Sequence, residues 1–142
     1  MSNTETFDCP VISFTVVDGD TQHVILDRGW RTTQGITTRL EGVDTPEKNT
    51  AAGQFVAQVV IQWLGPICQT KYRLRWLSRD LDKYGRSVGT FVDREHPAES
   101  LSDYLVRMKL AKPYDGKSAR QPWSDAELAL VVKAAKSLIS EN

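Results

Sequence analysis

The sequence is poor in cysteine, and this excludes the common cysteine-based metal sites. Its 142 residues include only two cysteines, Cys9 and Cys68. They lie far apart, with no Cys-x-x-Cys pair or cysteine–histidine spacing typical of zinc sites. Cys68 lies in an apolar stretch and is interpreted as a buried thiol. The sequence leaves open whether Cys9 and Cys68 pair.

An excess of either charge and long hydrophobic runs are also absent. Eighteen basic and 18 acidic side chains give a formal net charge of zero. This argues against a dedicated duplex-DNA coat protein, but it leaves room for a local basic groove. No stretch reaches membrane-spanning length, and the N-terminal MSNTETFDCP has neither the basic start nor the apolar run of a signal peptide. We therefore expect a cytoplasmic protein in a reducing compartment, with no membrane and no evident obligate protein partner.

The patterns that are present predict an α+β chain, mainly β, folded as one domain over residues 1–142. Alternating and β-branched stretches predict five strands, at residues 11–17, 22–28, 35–43, 70–77 and 87–92. Helical spacing of apolar residues over 53–66 predicts a helix between the third and fourth strands, ended by Gly65-Pro66. Two C-terminal helices are predicted at 101–108 and from Ser124, each with a capping-box pattern. This order is the plan of an OB-fold barrel.

Acidic residues follow two of the predicted strands. Asp20 follows the first strand, and Asp44 and Glu47 follow the third. If these strands are neighbours in a barrel, the carboxylates converge and repel each other unless a hard cation is bound. Oxygen ligands from the aspartates, with the carbonyl of Thr45, suit Ca²⁺ or Mg²⁺.

Two arginines accompany these acids. Arg39 precedes Asp44 by five residues, and Arg86 lies in the predicted turn DKYGR. Guanidinium groups bind phosphate oxygens through two parallel hydrogen bonds. Two arginines, a hard metal and a spare carboxylate suit phosphodiester hydrolysis, in which Glu47 would take a proton from, or orient, the attacking water.

Each of these features has an ordinary structural interpretation when it is taken alone. Asp-Gly-Asp is a common turn, and Asp-Thr-Pro-Glu can start a helix with Asp or Thr as its cap. Arg86 can be an ordinary exposed arginine. Likewise, the stripe Lys71, Arg73 and Arg75 can be a solvated strand face rather than a nucleic-acid track.

Taken together and in order, the motifs VVDGDT, RLEGVDTPE, DKYGR and LSDYLVRMKLAKPY resemble the staphylococcal nuclease-like (thermonuclease) family over about residues 11–139. The resemblance implies a calcium site at Asp20, Asp44 and the carbonyl of Thr45. It implies that Glu47 activates the water and that Arg39 and Arg86 hold the scissile phosphate. It also implies substrate binding by three further residues: Lys83, Tyr84 and Tyr114.

The same resemblance implies a calcium-dependent nuclease that cleaves the P–O5′ bond of DNA and RNA, prefers single strands and leaves 3′-phosphates. The oxygen-only ligand set favours Ca²⁺, with Mg²⁺ or Mn²⁺ as alternatives. Two rival interpretations are a non-catalytic OB-fold module that binds single-stranded nucleic acid and a protein-interaction domain.

The sequence also departs from the family pattern. The hairpin at residues 29–35 looks longer than in secreted members, and the segment at 48–52 looks shorter and carries only one lysine. Fewer positive charges there would weaken the capture of polyanions. An export signal is also absent, and an unregulated nuclease inside a cell would be harmful. Low activity, narrow specificity and a phage or mobile-element origin are therefore all open.

One geometric condition attaches to the predicted site. Arg39 and Asp44 are an odd number of residues apart, so on an unbroken strand they would face opposite ways. Their convergence requires the strand to bend or end between them, and Gly42 predicts such a break.

Overall fold

The computed structural model describes residues 7–140, which form the following elements. The strands are β1 (Phe7–Asp18), β2 (Thr21–Asp27), β3 (Thr33–Leu40), β4 (Val43–Asp44), β5 (Leu74–Leu81), β6 (Ser87–Asp93) and β7 (Lys112–Pro113). The helices are α1 (Ala51–Cys68), α2 (Leu101–Arg107) and α3 (Asp125–Ser140). The predicted domain of residues 1–142 thus extends beyond the described part at both ends.

Five of the strands close into a barrel. Their order around the barrel is β1-β2-β3-β6-β5, and each pair is antiparallel except β3 with β6. Helix α1 lies in the chain between the third and fourth barrel strands, and α2 and α3 follow the fifth. The predicted fold class, a mainly β, OB-fold-like barrel with three helices, is confirmed.

Alternating burial explains why the barrel strands form. Along β2, Gln22, Val24 and Leu26 are buried while the residues between them are exposed. Inside the barrel, the ring of Trp76 packs on Phe91 with their centroids 4.7 Å apart. One face of each strand therefore fills a common core, as the period of two in the sequence predicts.

Helix α1 covers one side of the barrel. It packs against β1 and α3, and its N-cap is Thr50, whose side chain accepts a hydrogen bond from the Gly53 nitrogen. It is also the one helix in the described residues with the length and composition to cross a membrane, a test that core helices pass as well. Its buried face consists of Ala52, Gly53, Val56, Val59, Val60, Leu64 and Ile67.

Several predicted boundaries are wrong. Strand β1 begins at Phe7 rather than residue 11, and β5 ends at Leu81 rather than residue 77. The third strand ends at Leu40, not at residue 43, because Gly42 takes a φ of +80° and turns the chain. Strand β5 begins at Leu74 and not at residue 70, because Tyr72 has a φ of +68° that no strand accommodates. Tyr72 is therefore not part of the alternating strand.

The predicted end of α1 is also wrong. Gly65-Pro66 does not stop this helix, which continues to Cys68. Ile67 is buried in the core, and the Cys68 thiol lies 3.4 Å from the Ile12 carbonyl oxygen. These contacts hold the last turn despite the missing proline N–H. Both cysteines are free and half-buried.

The two predicted capping boxes are confirmed. Ser100 accepts a hydrogen bond from the Asp103 nitrogen, and the Asp103 carboxylate accepts one from the Ser100 nitrogen. Ser124 and Glu127 make the same reciprocal pair at 3.1 and 2.9 Å.

Candidate functional site

The turn between β1 and β2 positions Asp20. Its carboxylate is buried and accepts a 3.2 Å hydrogen bond from the Thr45 nitrogen. The preceding residue must be glycine, because a Cβ at Gly19 would lie 2.7 Å from the Val56 side chain and about as close to Thr45. The Asp-Gly-Asp turn is thus packed directly against the residues that follow β3.

The break after β3 brings Arg39 to the same place. Its Nη1 lies 3.3 Å from Asp20 Oδ2 and donates to the Leu40 carbonyl, and its Nη2 donates to the Val43 carbonyl at 2.9 Å. Burial lowers the pKa of Arg39, and the Asp20 carboxylate opposes this shift. The condition set by the odd spacing is therefore met, since the chain turns at Gly42 and Arg39 curls back over that turn.

A small second sheet places Asp44. Strand β4 pairs with β7, with Asp44 opposite Lys112, and this pairing was not predicted. Asp44 Oδ2 accepts a 3.3 Å hydrogen bond from Trp123 Nε1, and Arg120 Nη1 lies 3.4 Å from Oδ1. Burial raises the pKa of Asp44; Arg120 opposes this, and the nearby Asp20 carboxylate adds to it.

Two buried oxygens at this point have no hydrogen-bond partner among the described residues. They are Asp44 Oδ1 and Thr45 Oγ1. A buried acidic oxygen without a hydrogen bond fits a cation ligand, and in this structure the cation that faces Asp44 Oδ1 is Arg120 Nη1 at 3.4 Å. Among the side chains that the structure describes, no group of three or more acidic, histidine or cysteine side chains is arranged for a metal. A hard cation held by Asp20, Asp44 and Thr45 together with water therefore stays a prediction.

Arg86 closes the turn between β5 and β6. Its Nε donates to Asp82 Oδ2 at 2.6 Å, and its backbone nitrogen donates to Asp82 Oδ1 at 2.9 Å. Its guanidinium also lies 5.4 Å from the ring centre of the exposed Tyr84, and Lys83 Nζ lies 5.2 Å from the same ring. This predicted turn thus presents two cations and an aromatic ring together.

A groove of about 800 Å³ connects Arg39 with the turn that carries Arg86, and we call it the basic groove. Asp20, Asp44 and Thr45 are not among the residues that line it. Five basic side chains line it, against three acidic ones, although the whole chain is neutral. It therefore carries a net positive charge and suits an anionic ligand. The predicted site residues that line it are Arg39, Lys83, Tyr84, Arg86 and Tyr114.

Glu47 is placed differently. Its side chain is exposed and is not among those that line the basic groove. Its carbonyl oxygen accepts bonds from the nitrogen and hydroxyl of Thr50, which caps α1. The alternative that Asp44 or Thr45 caps this helix is thus wrong, while the catalytic role of Glu47 stays a prediction.

Two residues of the stripe Lys71, Arg73 and Arg75 form ion pairs within the fold, while Lys71 is exposed. Arg73 makes a two-pronged pair with Asp93 at 2.8 and 2.9 Å, and Arg75 pairs with Asp8. Lys71 and Arg73 precede β5, so only Arg75 of the stripe lies on that strand. The stripe is therefore not one strand face, and the ion pairs of Arg73 and Arg75 give both side chains a structural role.

Two of the five basic groove residues, Lys117 and Arg120, were not predicted as site residues from the sequence. Arg120 pairs with Asp44 and lies 5.7 Å from the ring centre of Tyr114, and Lys117 lines the groove from the same loop. The segment YDGKSARQPW has no helical or strand period, so nothing in its pattern shows that it folds over Asp44. Neither the protein-family models nor the curated protein sequences contain a match to this chain.

Proposed function

We propose that this chain is a metal-dependent nuclease of the staphylococcal nuclease-like kind, acting on single-stranded DNA or RNA. The observation that carries the proposal is the convergence of Arg39 and Arg86 on one basic groove, beside the buried carboxylates of Asp20 and Asp44. Buried acids and cations gathered at one groove are a common feature of functional sites, where charged groups are kept despite the cost of desolvation.

The arginines would bind the scissile phosphate. Arg39 is held in place by backbone carbonyls before any ligand arrives, so little side-chain entropy is lost on binding. Arg86 is oriented by Asp82 in the same way. Fixed donors of this kind stabilise the charge that develops on phosphate oxygens during hydrolysis.

Asp20, Asp44 and Thr45 would hold the metal, with Ca²⁺ favoured and Mg²⁺ or Mn²⁺ as alternatives. When bound, a hard cation polarises a phosphoryl oxygen. Independently of the ion, Lys83, Tyr84 and Tyr114 line the part of the groove where the neighbouring phosphate and base of a single strand would lie. Glu47, on the exposed segment before α1, would accept the proton of the attacking water.

The role of Glu47 is tested by Glu47→Gln. We expect the variant to keep its thermal unfolding midpoint and its calcium affinity while losing turnover on single-stranded DNA by about a hundredfold. The exposed Glu95→Gln, away from the groove, is the matched control. Full activity in Glu47→Gln would remove Glu47 from the mechanism.

A second candidate function is a non-catalytic module that binds single-stranded nucleic acid. It is favoured by one specific observation: Arg39 and Arg86 are each paired with an acid of the same chain, while Glu47 lies outside the groove. Tight binding of single strands without cleavage under any metal would select this candidate. Inactivity without nucleic-acid binding would select a protein-interaction domain.

A further inference from the structure

We propose that one mouth of the barrel is a second binding site, for a small molecule with a flat apolar body and an anionic group. This barrel mouth is a cavity of about 560 Å³ formed by β1, β2, β3, the end of β5 and the first residue of β6. Leu81 lines both it and the basic groove, but Arg39 and Arg86 do not line it. The inference therefore does not rest on the proposed nuclease function.

Apolar side chains form the walls of the barrel mouth. Leu26 and Trp76 are almost fully buried at its base, and Ile36 is half-buried beside them. Phe7 and Leu81 stand at the rim with 54% and 66% of their surface exposed. A ligand with an apolar body would cover this surface, as in most small-molecule sites.

The polar groups at the base already have partners. Trp76 Nε1 donates to Ser87 Oγ at 2.9 Å, Ser87 Oγ donates to Ser78 Oγ at 2.6 Å, and Ser78 Oγ donates to the Val88 carbonyl oxygen. Because this chain of bonds is complete, the base of the cavity does not demand a polar ligand. The part of the ligand that enters deepest should be apolar.

The charged side chains described in the lining of the cavity are both basic. They are Arg28 and Arg79, and no acidic side chain of residues 7–79 or 81–139 lines it. Arg79 lies 3.6 Å from Glu41 in an exposed pair, which is weak and exchangeable. Two guanidinium groups over an apolar cavity are complementary to a carboxylate, sulfonate or phosphate on an aromatic body.

The test compares two dyes that share the same aromatic body, one with a sulfonate group and one without it. The probe is 8-anilinonaphthalene-1-sulfonate, and its neutral counterpart is N-phenyl-1-naphthylamine. We expect the wild-type protein to bind the sulfonate at least roughly tenfold more tightly than the neutral dye, since charge-assisted bonds from arginine add to the apolar contact. Equal affinity for the two dyes would overturn the proposal.

Variants test whether the rim arginines cause the preference for the sulfonate dye. Gln34 also lines the cavity. The double variant Arg28→Gln/Arg79→Gln, and separately the isosteric Gln34→Glu, should weaken sulfonate binding by about tenfold and leave the neutral dye unchanged. Arg94→Gln and Gln58→Glu make the same changes at exposed positions outside the cavity and serve as matched controls. An unchanged sulfonate affinity in the double variant would contradict the proposal.

The two free cysteines report the location of the ligand. Cys9 lines the barrel mouth, whereas Cys68 lies at the end of α1. The bound sulfonate should slow alkylation of Cys9 several-fold and leave Cys68 unaffected, as followed by peptide mass spectrometry. Equal protection of both cysteines, or of neither, would mean that the dye binds elsewhere.

Competition then identifies the source of the natural ligand. Thymidine 5′-monophosphate and a single-stranded thymidine oligonucleotide represent nucleic acid, and indole-3-acetate represents a free aromatic acid. Displacement of the dye by the first pair assigns the cavity to a nucleotide, and displacement by indole-3-acetate alone assigns it to a small metabolite. Failure of all three would contradict the chemical class proposed.

Discussion

Arg39 is fixed by its own neighbourhood before it meets a ligand. Its guanidinium donates hydrogen bonds to the backbone carbonyls of Leu40 and Val43 and forms an ion pair with the carboxylate of Asp20. Arg86 is positioned by two hydrogen bonds to the Asp82 carboxylate, one from its side chain and one from its backbone nitrogen. The proposed site thus contains two arginines whose guanidinium groups are fixed in position. Its activity should depend on the planar shape of the guanidinium as well as on its charge.

The first prediction concerns Arg86. Because Arg86 is only half-buried, Arg86→Ala should keep the fold and lower turnover on single-stranded DNA by about a hundredfold, the loss typical of a transition-state donor. Arg86→Lys should recover only a small part. Steady-state cleavage rates beside thermal midpoints check this, with Arg94→Ala as the control; a fully active Arg86→Ala would contradict the role of Arg86.

The second prediction concerns the close packing under Asp20. A methyl group at Gly19 would meet Val56 and Thr45 at 2.7–3.1 Å, so Gly19→Ala should destabilise the fold by about 1–3 kcal/mol. Gly35 in β3 has room for a methyl group, with Ile25 Cδ1 at 3.4 Å, and Gly35→Ala should instead stabilise by roughly 0.5–1 kcal/mol. Urea unfolding of both variants measures this; equal effects would mean that the turn is not packed as described.

At the scale of elements, the sequence was most informative where a period was present. Alternation along β2 and β6 predicted the barrel strands, and the helical period predicted α1. The two-residue strands β4 and β7 have no period to detect, although their pairing is what sets Asp44 beside Arg120 and Trp123. The sequence motifs were therefore enough to predict Asp20, Arg39 and Asp44 as site residues. The loop that covers Asp44 was not predicted, because its position depends on tertiary contacts.

The third prediction concerns the turn between β5 and β6. Burial alone would raise the pKa of Asp82, but hydrogen bonds from Arg86 and the Tyr84 nitrogen lower it overall. Asp82→Asn keeps the shape and removes the charge, so it should cost about 1 kcal/mol of unfolding free energy and also reduce turnover by loosening Arg86. In an Arg86→Ala background the same change should leave turnover unaltered; an additive loss would show that Asp82 acts independently.

At the scale of the whole molecule, neutrality hides an uneven distribution of charge. The basic groove has an excess of cations, while many other arginines are paired on the surface, as Arg107 is with Glu99 and Arg75 with Asp8. Net charge therefore gave no sign of the groove, because it depends on composition and not on placement.

The fourth prediction concerns acid stability. Hydrogen bonds from Arg73 lower the pKa of the buried Asp93, burial opposes this, and the Glu95 nitrogen adds a further bond. A lowered pKa in the fold stabilises the protein above the unfolded value of about 4, and this contribution is lost as the pH falls through the folded value. Between pH 5 and 2, denaturant titrations should therefore show a steeper loss for wild type than for Asp93→Asn. Parallel pH profiles would contradict this coupling.

The most direct test of the central claim is cleavage of single-stranded DNA and RNA by the purified wild-type protein, with added Ca²⁺, with added Mg²⁺ and with chelator. The account predicts products that end in 3′-phosphate, formed with calcium and abolished by the chelator. Products that persist in chelator, or the absence of cleavage with every metal tested, would contradict a metal-dependent nuclease.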